Sequence, residues 1–73
     1  MSGSQRLIDP DKLRARRIRA GLDRPSLAAR AGLNKSFISL IERGQRGVSV
    51  QTLHKFAEVL DCDIDDLMPE AAL

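Results

Sequence analysis

Apolar positions recur along this chain at intervals of three and four, and no stretch keeps the strict alternation of a strand, so the pattern predicts helices only. The polar punctuation divides it into five. Asp9 and Pro10 supply an N-cap and a first-turn proline for a helix running to Ala20 and stopped by Gly21, with Leu13 and Ile18 facing inward and Leu22 just beyond. Asp23 caps a second, with Pro25 tolerated in its first turn, Leu27, Ala28 and Ala31 as its apolar stripe, and Gly32 as its breaker. Asn34 caps a third, carrying Ile38 and Ile41 on one face up to Gly44; a polar loop, Gln45-Arg46-Gly47, follows. Ser49 caps a fourth, in which Val50, Leu53, Ala57 and Leu60 repeat at helical spacing. Asp63 opens a short fifth with Ile64, Leu67 and Met68, ended by Pro69. The expected fold is all-α, with residues 1–8 a flexible tail, residues 9–69 the domain and residues 70–73 a C-terminal tail.

Composition narrows the class. Seventy-three residues suffice for one domain and leave no room for a ligand-sensing one. With no Trp or Tyr and two Phe, the core must be aliphatic. Cys62 is the sole cysteine, which excludes an internal disulfide and a thiolate metal cluster. No apolar run approaches the roughly 20 residues of a membrane span, and Met1-Ser2-Gly3-Ser4 lacks a signal-peptide core, so the cytoplasm, in association with the nucleoid, is the expected address. The net charge of +2 hides an asymmetry: residues 1–46 hold eleven Lys/Arg against four Asp/Glu, residues 47–73 one against six. A basic half and an acidic half offer a polyanion a single face.

The segment RPSLAARAGLNKSFISLIER, from Arg24 to Arg43, explains that asymmetry. Two short helices crossing steeply over a tight turn need a small residue at the crossing (Ala28), a glycine at the turn (Gly32) and branched aliphatics closing the junction (Leu33, Ile38, Ile41). Together with FISLIERGQRGVSVQTLHKFAEVL, this resembles the Cro/phage-repressor (XRE-type) helix-turn-helix family from about Leu13 to Met68. The resemblance implies a compact, lambda-repressor-like five-helix domain and an ion pair between Arg17 and Glu42 joining the first and third helices. It extends to restriction–modification controllers, small phage repressors and antitoxins. The chain departs from the family where Arg24-Pro25-Ser26 replaces Gln-Glu-Glu, Gly47-Val48 replaces Asn-Pro, and Asp61 replaces a helix-ending Gly.

In that docking mode the third helix enters the major groove of double-stranded DNA. Its outward residues Lys35, Ser36, Ser39 and Leu40 are the candidate base readers; Phe37 either touches the groove or packs toward the fourth helix. Lys35 can donate to guanine O6/N7, the serines can pair with several bases, and Leu40 can meet a thymine methyl. Arg24, Asn34, Arg43, Gln45 and Arg46 are the candidate phosphate ligands. Arg14, Arg16 and Arg19 are expected to face solvent, with at most a distant steering role.

Little points to other chemistry. His54 is a lone histidine that reads as a surface or interface residue rather than a ligand, Cys62 reads as a small buried hydrophobe, and the run from Asp61 to Asp66 lacks the glycine and closing glutamate of a calcium loop. No nucleophile–base set, metal site or phosphate loop suggests an enzyme, and neither a cofactor nor a small-molecule ligand is expected. One recognition helix reads few base pairs, so a homodimer is expected, through Val59, Ile64, Leu67 and Met68 with the apolar tail Ala71-Ala72-Leu73. The competing reading is a protein-interaction module, antitoxin-like or a scaffold, that uses the same fold to hold a protein partner.

Overall fold

The computed structural model describes residues 7–70. They form four α-helices, α1 (Pro10–Arg19), α2 (Arg24–Ala31), α3 (Lys35–Glu42) and α4 (Val50–Leu60), and one 3₁₀ turn, Ile64–Asp66. Each α-helix starts where a short polar side chain takes over backbone donors that the first turn leaves without partners. Asp9 accepts from the N–H groups of Asp11 and Lys12, Asp23 from Ser26, Asn34 from Ser36, and Ser49 from Thr52. Gly32 ends α2 in the left-handed region at φ 71°, and the Leu33 N–H turns back to the Ala28 carbonyl at 2.7 Å. That turn sets α3 across α2.

The core is aliphatic around one aromatic ring. Leu13, Leu27, Ile38, Ile41, Leu53, Phe56 and Leu67 are wholly enclosed, joined by Ile8, Ala28, Ala31, Val48, Ala57 and Leu60. Several positions differ from the sequence expectation. Ile18 is 57% exposed. It lies five residues after Leu13, about 140° around the helix, whereas Arg17 falls four residues on and turns inward. Val50, in the first turn of α4, is also exposed, and Val48 from the preceding loop fills the core beside that helix. Ile8, assigned to the tail, is buried, and Leu7 packs against the core. The rest of both tails, residues 1–6 and 71–73 (with Ala71-Ala72-Leu73 of the expected dimer surface), lies outside the described residues.

The expected fifth α-helix is a single 3₁₀ turn. The Asp63 N–H donates to the Asp66 carboxylate at 3.1 Å, closing the turn on itself. The Leu67 carbonyl accepts from the Asp9 N–H at 2.7 Å, so the backbone pairs across the molecule instead of continuing a helix. Pro69 then disfavours helical geometry at Met68. Lys12 strengthens the same seam by donating to the Met68 carbonyl at 2.9 Å, while Arg16 faces Asp66 at 3.6 Å.

Candidate nucleic-acid interface

The first turn of α3 follows directly from the tight turn, and Asn34 fixes where it begins. Ile38 and Ile41 are buried, which rotates Lys35 and Ser36 into solvent and leaves Ser39 and Leu40 half-exposed on the outer side. Lys35, Ser36 and Ser39 border one surface groove together with Arg14, Arg17 and Ile18 of α1 and Asp23, Arg24 and Pro25 at the start of α2. Leu40 is not among the residues lining it. Asn34 spends its side-chain oxygen on the cap, which leaves the amide N–H₂ as the donor available to an anion.

Phe37 is half-buried against the core, and the Arg46 guanidinium sits over its ring, 5.4 Å from the centroid. The contact ties the loop after α3 to the helix. Arg43, Gln45 and Arg46 are all exposed there, just beyond the end of α3. The groove and this loop therefore flank α3 at its two ends with cationic or amide donors.

Beneath the groove lies a charged triad. Arg17 donates through Nε and Nη2 to both oxygens of Glu42, at 2.6 and 3.1 Å, and through Nη1 to the Leu22 carbonyl at 3.0 Å. The Glu42 side chain is 2% exposed, so this two-pronged pair is enclosed and its polar atoms are satisfied. Arg24 adds a third bond, Nε to Glu42 Oε1 at 3.0 Å. Burial pushes the Glu42 carboxyl up, but the hydrogen bonds and charges of Arg17 and Arg24 outweigh it and hold the group below its ordinary range. Among the described residues Arg24 is held through Nε alone, which leaves both of its terminal nitrogens able to meet an anion at the groove. The link between Arg24 and Glu42 escaped sequence reasoning, since nothing local connects residues 18 apart. Arg14 and Ile18 at the groove were missed as well, Ile18 having been expected inward and Arg14 in solvent; their i, i+4 spacing puts both on one face of α1 but does not say what that face meets.

The other candidates carry no such convergence. Leu67, expected at a dimer surface, is wholly enclosed in the domain's own core; Val59, Ile64 and Met68 are half-buried around it. His54, Cys62 and several carboxylates line a separate groove along α4, but no group of three or more His, Cys, Asp or Glu among the described residues is arranged to hold a metal. Burial, reinforced by nearby carboxylates, pushes the Cys62 thiol up and lowers its reactivity. No helix among the described residues is long and apolar enough to cross a membrane.

Comparison with known proteins agrees with this geometry. The family model described as "Helix-turn-helix domain" matches residues 11–71. The restriction–modification controller protein C.AhdI from Aeromonas hydrophila is 37% identical, with 81% of this chain and 89% of that one covered at a TM-score of 0.77. The N-terminal DNA-binding domain of SinR from Bacillus subtilis is 32% identical, with 88% and 94% covered at a TM-score of 0.77. Part of hydroxypropylphosphonic acid epoxidase from S. wedmorenis shares the fold at 28% identity and a TM-score of 0.81; the match covers 86% of this chain but 34% of the epoxidase. A search of curated proteins finds no match.

Proposed function

The chain belongs to the XRE-type helix-turn-helix domain family, and on that premise we propose that it binds double-stranded DNA through the major groove as a transcriptional regulator. The observation that carries this reading is the convergence of Lys35, Ser36 and Ser39, on the outer side of the first two turns of α3, with Arg24 on one cationic groove. Lys35 at that position opposes the helix dipole, which makes a purely structural role unattractive and a guanine or phosphate contact attractive. Arg24, held by Glu42 through Nε, presents its terminal nitrogens to a phosphate; Asn34, Arg43, Gln45 and Arg46 supply further donors to the strand. Serine contacts discriminate weakly, so part of the specificity comes from DNA shape.

The regulator acts as a homodimer on an inverted repeat, with two α3 helices about 34 Å apart on successive turns. Its contact surface uses Val59, Ile64 and Met68, which the core leaves half-exposed. Its action is that of a repressor or autoregulatory controller, as suits the controller relative named above. Titration of Lys35→Glu against duplex DNA tests the reading. Binding is expected to vanish while the helical circular dichroism stays unchanged. Undiminished binding by this variant would remove α3 from the interface and favour a scaffold for a protein partner.

A further inference from the structure

We propose that the face of α1 bearing Arg14 and Ile18 forms a second wall of the DNA site, seating the sugar–phosphate backbone of one strand. This rests on the DNA-binding reading above and adds to it two residues of a helix outside the helix-turn-helix. Arg14 and Ile18 lie four apart on one face and border the same groove, about 500 Å³ in volume, as Arg24, Pro25, Lys35, Ser36 and Ser39. If the first turn of α3 enters the major groove, a helix forming the facing wall meets the groove's rim, where the backbone runs.

The chemistry of the wall suits that occupant. Arg14, Arg24 and Lys35 surround the groove as cations beside Arg17, whose charge Glu42 neutralises, and among the described residues Asp23 is the one carboxylate residue lining it. Among the described residues Lys12 and Arg16 of α1 face carboxylates, whereas Arg14 has none within salt-bridge distance. Ile18, 57% exposed, puts an apolar surface between these cations. An exposed isoleucine alone needs no explanation. One set among three cations matches a strand that alternates anionic phosphates with apolar deoxyribose carbons. Arg14 donates to a phosphate, and Ile18 packs on the sugar beside it.

The test titrates the full chain against a random-sequence duplex over a range of salt concentrations. The comparison set is Arg14→Gln, Arg14→Lys, Ile18→Ser and Arg19→Gln, the last removing the same charge from the other side of α1, where Arg19 borders Asp65 and Asp66. Each phosphate contact contributes about 0.9 to the salt slope, which is about an eightfold change in affinity at about 0.1 M salt. Arg14→Gln is expected to lose both; Arg14→Lys keeps the slope, Ile18→Ser weakens binding with the slope unchanged, and Arg19→Gln leaves both unchanged. Equal behaviour of Arg14→Gln and Arg19→Gln would overturn the contact, reducing α1 to a diffuse charge. Failure of the unaltered chain to bind any duplex would overturn the DNA reading itself, and is seen before any variant is made.

Discussion

Glu42 carries two jobs through one carboxylate. It neutralises the buried Arg17, and it holds Arg24 at the mouth of the groove. Removing it in Glu42→Ala strands an enclosed guanidinium, which costs about 3–5 kcal/mol. For a chain of this length that is a large share of the total, on the order of 4–11 kcal/mol. Urea unfolding should therefore show a severe loss for Glu42→Ala and less than about 1 kcal/mol for Arg24→Gln, whose side chain is half in solvent. Duplex affinity should fall for Arg24→Gln even though its stability hardly moves. The pH dependence follows from the same site. Glu42 titrates lower folded than unfolded, so its stabilisation is complete above the unfolded value of about 4.3 and is lost as pH falls through the depressed folded value. Stability measured from pH 6 downward should drop in that acid range; a flat profile would mean the pair contributes nothing.

At the scale of elements, the helix starts were legible because each cap is a single short polar side chain acting on its own first turn. Asp9, Asp23, Asn34 and Ser49 all cap as local chemistry dictates. The errors fall where tertiary contacts decide. Arg17 displaces Ile18 from the core because a carboxylate from α3 waits for it, and the segment after Asp63 stops at one turn because its backbone pairs with Asp9. The outward face of α3 could be read from Ile38 and Ile41 alone, whereas the α1 wall of the groove could not, since only the fold brings the two helices side by side. The helix ends carry predictions of their own. Gly32→Ala meets no atom within 4 Å, so its cost is conformational, about 1–2 kcal/mol in thermal unfolding. Asp61 ends α4 at φ 55°, a strained region for a side chain, so Asp61→Gly should raise stability by about 0.5–1 kcal/mol. No gain there would mean the Asp61 carboxylate compensates for its backbone.

For the whole molecule, the charge asymmetry becomes a division of surface. Arg14, Arg17, Arg24 and Lys35 line the groove beside α3, Lys12, Arg16 and Arg19 of α1 border a second groove with Asp65 and Asp66, and the carboxylates of Glu58, Asp61, Asp63 and Asp65 line the groove along α4. A duplex approaching the basic side is attracted over several ångströms and repelled elsewhere, which orients the encounter. Dimerisation through Val59, Ile64 and Met68 predicts sedimentation that shifts from monomer to dimer with rising protein concentration. A monomer throughout the micromolar range would count against dimerisation through this surface. Sequence-specific recognition by α3 is open to a direct measurement, the selection of bound duplexes from a random library. Recognition by α3 as a dimer predicts an enriched inverted repeat, with half-sites one helical turn apart and affinity falling steeply as salt rises. A pool that stays random after repeated selection would contradict it.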